Sequence, residues 1–596
     1  MDSPSEDYAA RKRDRQTRAE ALERRHIRLG NAKVSLFIAA IVYGLWALDG
    51  DPSAGAFGVG AAVFVALSVW HENVMRALSK ARTAVAYYEQ GAARIEDRWM
   101  REEPSGERFR DRDHPYADDL DLFGPRSLFQ LVSGCRTPMG EERLALWLLR
   151  VSPIAEVRDR QLRVAALRPH VDLRERIAVV NAGRRQAIDA RRLIEWSEQP
   201  GLLPPIRILV VLLAVAFLVA LFVYMNGGPG IFLAMVPAAN LVMVIWLGRR
   251  ANAVVEGLAS ATQSSALDLM ADVIAEIERE PFADGALSGL AMRFTGGDTV
   301  PAASQGLARL ARISDWVDSR HNVFVRLAEI PILFTLQLAF AAERWRLTHG
   351  RRLRDWVDAI GEIEALLSLA GYAYEHPRDP FAEIVDTDSP FLVASEAAHP
   401  LIPAAAVVRN SLSLSGPGPR ILIVSGSNMS GKSTLLRTVG TNVLLALAGA
   451  PVRADALRLS PLAIGTCLRH TDSLQERRSG FYTEALRVRL IADLLDGPLP
   501  VLFLFDELLS GTNSKDRRIA AEGVIRTMLA RGAVGLVTTH DLALTEIAAI
   551  CPAEMRNVHL QDTVSNGVMA FDYKLRDGVI THSNALELMR IIGLDV

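Results

Sequence analysis

The chain has 596 residues, half of them hydrophobic and 23% charged, with a formal net charge of −2. That length can hold several domains, and the near-neutral balance gives no global basic signal for nucleic acid. Cys135, Cys467 and Cys551 lie far apart without metal-ligand spacing, so they read as buried free thiols in a reducing compartment.

Residues 1–33 are predicted to form a basic cytosolic tail. Between Arg11 and Lys33 stand nine Lys/Arg against Asp14, Glu20 and Glu23. Such a run is more often a solvated helix or a cytosolic membrane flank than a nucleic-acid arm. Two apolar runs follow, Val34–Leu48 and Ala54–Trp70, split by the short acidic turn Asp49–Ser53. A second pair, Ile208–Met225 and Ile231–Leu247, is split by Asn226-Gly-Gly-Pro-Gly230. With its flanks each run approaches the ~20 residues that cross a bilayer. Lys33, Arg76, Lys80, Arg82, Arg207, Arg249 and Arg250 fall on one side, while the other side receives only the turns. By the positive-inside rule these are two transmembrane helical hairpins, residues 34–74 and 201–250, with both termini in the cytoplasm. The expected location is therefore integral to the cell inner membrane; four buried core helices are the alternative.

Residues 75–200 and 251–395 carry helical periodicity and are expected to form one helical core and lever region in two parts. Thr137 can cap a helix that has Pro138 at its first position. The apolar stretch Ile330–Phe340 is short and closely flanked by Arg326 and Glu329, so it is expected to be a core helix, not a fifth span. A break is expected near Gly296-Gly297, and an amphipathic helix over Asp355–Tyr374.

From 396 to 596 strands alternate with helices, the α/β signature. Strands are expected at Ile421–Val424, Val501–Phe505 and Val534–Val537, and a hairpin turning at Asn566-Gly567. Gly426-Ser-Asn-Met-Ser-Gly-Lys-Ser433 matches the phosphate-binding pattern G-x-x-x-x-G-K-[ST] between a strand and a helix. Gly426, Ser427, Asn428, Met429, Ser430, Gly431, Lys432, Ser433 and Thr434 would cradle ATP. Lys432 would reach the β- and γ-phosphates, and Ser433 would bind Mg²⁺. Val501–Phe505 runs into Asp506 and Glu507, placed to hold Mg²⁺ through water and to polarise the attacking water. His540 ends a later strand, where ATP-binding-cassette-type ATPases carry a γ-phosphate sensor. The expected activity is ATP hydrolysis with Glu507, His540 and Lys432 as the catalytic set.

Those residues resemble the MutS family of mismatch-recognition ATPases. Ser425-Gly-Ser-Asn-Met-Ser-Gly-Lys-Ser-Thr434 is similar to that family's T-G-P-N-M-x-G-K-S-T loop, with Ser427 in place of Pro. Asp506-Glu-Leu-Leu-Ser-Gly-Thr-Asn-Ser514 is similar to its D-E-x-x-x-G-T-S segment. Asp472-Ser-Leu and Ser479-Gly-Phe-Tyr-Thr-Glu484 resemble the stretch that meets the nucleotide of the opposite subunit. The resemblance thus implies a homodimer with Ser479 and Gly480 acting in trans. Arg136-Thr-Pro-Met-Gly140 resembles the start of the family's helical core, and Glu364–Ala370 its returning end. The implied fold is mixed: helical core and lever, two membrane hairpins, and a C-terminal α/β P-loop ATPase domain. The departures are specific. A basic run and a hairpin stand where the mismatch-reading domain would precede the core, and a second hairpin replaces the DNA clamp. After Ile592-Gly-Leu594 the family's oligomerisation tail is expected to be absent. Val407 stands where the resemblance implies an adenine-stacking aromatic, which opens base selectivity to question; Tyr573 of the C-terminal hairpin is a candidate aromatic contact. Membrane lipid is an expected partner. DNA contact through Arg11–Lys33, Arg184, Arg185, Arg191 and Arg192 stays open beside anionic lipid as their use. The alternative function is an ATP-driven membrane machine or scaffold that does not act on DNA.

Overall fold

A computed structural model describes residues 3–46, 54–99, 105–180, 189–282, 285–295, 302–387, 389–415, 418–427, 429–469, 480–509, 513–565 and 568–580. Asn428, Ser479, Arg184, Arg185, Gly296-Gly297 and Asn566-Gly567 lie outside the described residues.

The first apolar pair sits in two long helices, α1 (Pro4–Trp46) and α2 (Ala54–Ile95). At 1.5 Å per residue each is roughly 60 Å long. Lys12–Glu89 (3.1 Å), Arg82–Glu23 (2.7 Å) and a His26–His71 ring contact (2.7 Å) fix them antiparallel. Residue 33 is therefore no boundary, because the basic run and the apolar run share one helix. Nor is the basic run a free arm. Arg15 pairs with Glu175 at 2.7 Å, and Arg11 with Asp7 and Asp172. Above Lys33 the pair turns apolar and exposed, as at Phe37, Val42, Val59 and Val65.

The core begins with α3 (Leu128–Val132), α4 (Pro138–Leu149), α5 (Ile154–Leu167), α6 (Val171–Val180) and α7 (Ala190–Ser197). Thr137 caps α4 as the sequence predicts, accepting from the Gly140 amide at 3.2 Å. The second apolar pair forms α8 (Arg207–Met225) and α9 (Ile231–Ala261). Among the described residues, α1, α2, α8 and α9 are the helices long and apolar enough to cross a membrane. The lower half of α9 is buried against the core through Leu247, Ala251, Val254 and Leu258.

After α10 (Ser264–Glu278), α11 (Gly285–Met292), α12 (Ala303–Asp318) and α13 (Val323–Ile332) comes α14 (Phe334–Glu375), the hub of the core. Two expectations change here. The single helix over Ile330–Phe340 is broken at Leu333, which has φ 55°. The helix over Asp355–Tyr374 is the distal half of one 42-residue rod. Glu343 on that rod accepts from the amide of Leu203 at 3.2 Å, and Trp345 stacks on Trp196 at 6.1 Å. At its far end the Glu375 carboxylate holds Arg94 at 2.6 Å and Tyr8 at 3.3 Å, tying α14 to the base of the first hairpin.

The C-terminal part holds two sheets. The smaller has β1 (Glu383–Ile384), β2 (Leu392–Ala397), β3 (Asn410–Leu414) and, after β4 (Ile421–Ser425) and α15 (Lys432–Ala448), β5 (Ala456–Leu459), in the order β1-β5-β2-β3. The larger continues with β6 (Ala463–Cys467), α16 (Gly480–Asp493), β7 (Val501–Phe505), α17 (Ser514–Ala530), β8 (Val534–Thr539), α18 (Leu542–Thr545), β9 (Met555–Ser565) and β10 (Val568–Asp577). Its order is β10-β9-β4-β8-β7-β6, parallel except for β10. The continuous apolar runs Ile421–Val424 and Val501–Phe505 are fully buried, as central strands covered on both faces must be. The C-terminal ends of β4, β8 and β7 thus share one edge, where open α/β sheets place their ligands.

Candidate functional site

The glycine loop leaves β4 at Ser425 and enters α15 at Lys432. Gly431 has φ 94° and Met429 φ 78°, so the loop turns through left-handed backbone immediately before the helix. The helix N-terminus directs its free amides at this turn. The hydroxyls of Ser427 and Ser430 are buried without a hydrogen-bond partner, an arrangement that suits an anion arriving from outside. Lys432 is buried, and its ammonium donates to the carbonyls of Gly426 (2.9 Å) and Ser427 (2.8 Å) and lies 3.7 Å from Glu507. Burial lowers its pKa against the opposing pull of Glu507 and Asp506.

β7 delivers the carboxylates. Asp506 is buried and accepts from the Thr538 hydroxyl; the Glu507 amide donates to the same Thr538 oxygen at 3.1 Å. Glu507 has φ 49°, a conformation rare outside glycine, and the fold holds it there. Its carboxylate stands 3.1 Å from His540 Nδ1, at the end of β8. Glu484 on α16 accepts from the Leu509 amide, bracing the turn after Glu507.

One cavity of about 660 Å³ collects these groups. Gly431, Lys432, Ser433, Thr434, Asp506 and Glu507 line it beside the apolar Ile402, Val407 and Val408 and the ring of Tyr573. Tyr573 sits in a bulge of β10 with φ 54°. Asn410 fixes that bulge, donating to the Tyr573 carbonyl at 2.9 Å and accepting from the Leu575 amide at 2.8 Å. The ring lies against Gly431, where a Cβ would come within 2.9 Å of it. The orphaned serines, the loop glycines, Ser433 and the Asp506 carboxylate form a donor set that fits a nucleotide phosphate chain and a hard cation.

Of the sequence-predicted residues, the structure brings the described loop positions, Asp506, Glu507, His540 and Tyr573 together at one sheet edge. Gly480 opens α16 and is not among the residues lining this cavity. Sequence reasoning missed Thr538 and Asp119. Asp119 is buried, accepts from the Thr466 hydroxyl at 2.8 Å and the Leu468 amide at 3.1 Å, and so ties the loop before α3 to the end of β6. Thr538 stands two residues before His540 in a strand already singled out; Asp119 gives no local signal.

A nucleotide-sized cavity at the carboxyl edge of a parallel sheet, with a glycine loop on one strand and paired carboxylates two strands away, defines the class of domain. The sequence model of MutS domain V matches residues 422–595, so this part of the chain carries a MutS-type domain V. The chain is similar to "Endonuclease MutS2" of Thermus thermophilus, 35% identical over 259 residues, 42% of this chain and 32% of that protein. It is similar to "DNA mismatch repair protein MSH3" of Phaeosphaeria nodorum, 30% identical over 40% of this chain and 22% of that protein. It is also similar to "Endonuclease MutS2" of Thermomicrobium roseum, 31% identical over 40% of this chain and 31% of that protein. The chain thus spans about a third or less of the length of these curated relatives.

Proposed function

We propose that the chain is a membrane-anchored, MutS-like ATPase. The observation that carries the ATPase part of this reading is the cavity lined by the loop, the paired carboxylates and Tyr573, and the four long apolar helices support the membrane part. Loop amides and Lys432 would hold the phosphates, and Tyr573 with Val407 and Val408 would hold the base. Mg²⁺, when bound at Ser433 and Asp506, would neutralise phosphate charge. Glu507 would orient the attacking water, with His540 steadying the carboxylate and sensing the γ-phosphate. Two copies would join through their ATPase parts, Ser479 and Gly480 completing the opposite site. Rearrangement there would travel along α14, which runs from this domain to α8 and α9. Those two helices and the tips of α1 and α2 would sit in the inner membrane, with the rest of the chain cytoplasmic.

The second reading, a membrane machine that does not act on DNA, is favoured by one observation. Arg11, Lys12 and Arg15 of the basic run are already paired with carboxylates. Binding of a fluorescent ATP analogue to the detergent-solubilised protein tests the shared core of both readings. Lys432→Ala should weaken it at least tenfold, and Glu507→Gln should leave it intact. Equal binding by wild type and Lys432→Ala would refute the assignment.

A further inference from the structure

We propose that the break between α13 and α14 is a re-entrant membrane element, seated among lipid acyl chains against α8 and α9. This rests on the reading of α8–α9 as a membrane hairpin.

Depth comes first. The buried Asn240 of α9 donates through Nδ2 to the carbonyls of Ile330 (3.0 Å) and Pro331 (2.9 Å). Asn240 stands nine residues from Ile231 at the turn and nine from Arg249 at the cytosolic flank. At 1.5 Å per residue that is roughly 14 Å either way, the midplane of a core about 30 Å thick. The Ile330 and Pro331 carbonyls bonded to Asn240 lie at that level, while Ile332 and Phe334 line a cavity with Arg207 and Val210 toward the cytosolic flank of α8.

The carbonyls of the break find partners within the protein. Hydrocarbon supplies no hydrogen bonds, so irregular backbone inside a bilayer must find partners within the protein. Here the Ile330 and Pro331 carbonyls take Asn240, and the Ile332 carbonyl accepts from Gln337 Nε2 at 2.7 Å. The Thr335 amide and hydroxyl donate to Glu329, the hydroxyl at 2.9 Å. The Leu333 carbonyl accepts from the Gln337 amide at 3.0 Å. Pro331 has no N–H to satisfy. An aqueous loop would leave much of this to water; here three side chains, Asn240, Glu329 and Gln337, perform it.

The outward surface is apolar. Ile330 is 39% exposed and Val323 68% exposed, and α9 itself exposes Val242 and Ile245. Arg326, exposed on the same helix, has a stem long enough to carry its charge toward the headgroups. The surface therefore fits acyl chains on its Ile330 side.

The test is nitroxide accessibility in lipid vesicles holding the full-length protein, with Cys135, Cys467 and Cys551 replaced by alanine. Single labels go at Ile330→Cys, at Val242→Cys on α9 and at Leu347→Cys, 79% exposed on α14. The label at 330 should collide with oxygen in preference to a water-soluble nickel complex, as the label at 242 does. A nickel preference at 330 like that at 347, while 242 keeps its oxygen preference, would overturn the re-entrant element and leave the hairpin standing. A nickel preference at 242 as well would overturn both. Shielding of 330 from both reagents would mean a protein surface covers it, which also contradicts the proposal. Should the label at 330 impair ATP binding, Ile330→Trp with quenching by mid-chain brominated lipid reads the same contact, and absence of quenching overturns it.

Discussion

Thr538 is the residue on which the proposed hydrolytic geometry turns. One hydroxyl donates to Asp506 and accepts the Glu507 amide, so it sets both carboxylates at once. Thr538→Val keeps the shape and removes both bonds. It should slow ATP turnover on the order of tenfold with little change in KM, because positioning and not binding is lost. Steady-state kinetics with an unchanged rate would remove Thr538 from this role. Glu364 gives a second residue-scale prediction. It is buried beneath the Arg136 and Thr137 amides, and burial raises its pKa from 4.5 to about 7 against the pull of the Thr137 hydroxyl and those amides. The folded state therefore binds the proton more tightly than the unfolded chain. Its contribution is full below pH 4.5 and is lost as pH rises through 7, roughly 3 kcal/mol at most. Glu364→Gln should flatten that slope, read as thermal midpoints at pH 5 and pH 8; an unchanged slope would contradict it. The placement of the loop between a strand and a helix was legible in the sequence because Gly426 to Ser433 are contiguous. Thr538 and Asp119 were not, because what they do depends on strands and loops that meet only in the fold.

At the scale of elements, α14 and the helices packed on it decide how rigidly the two ends of the molecule are joined. A Cβ at Gly350 would overlap the carbonyl oxygen of Ser197, and one at Gly361 would lie 2.9 Å from the Met139 carbonyl. Both neighbours are backbone atoms, so neither can rotate away. Gly350→Ala should cost about 1–3 kcal/mol. A thermal midpoint equal to wild type would show that α7 can move off α14 freely. The periodicity of 251–395 revealed helices but misplaced their ends. Pro331 and the apolar run after it look like a helix from Ile330 to Phe340. The interruption at Leu333 is stabilised by Asn240, some ninety residues away in sequence, and by local bonds from Glu329 and Gln337. The strands were read more closely, because Ile421–Val424 and Val501–Phe505 are apolar throughout and end in chemistry-bearing residues.

For the whole molecule, the domain V match covers 422–595, and the charge pattern around four apolar helices supplies the membrane reading. With Arg11, Lys12 and Arg15 paired to carboxylates, the cations left on α1 are suited to phosphates of lipid or nucleic acid alike. Any DNA binding should fall steeply with salt and show no preference for a G·T mismatch over homoduplex, since phosphate contacts carry no base information. A tenfold preference in competition titration would mean that a recognition element exists elsewhere in the chain. The central claim joins two properties in one molecule, and one measurement reads both: ATP hydrolysis in the vesicle fraction after reconstitution and flotation on a density gradient. Wild-type protein should float and hydrolyse ATP, and Glu507→Gln should float but lose hydrolysis by on the order of 100-fold or more. Protein left at the bottom of the gradient, or a floated Glu507→Gln as fast as wild type, would contradict it.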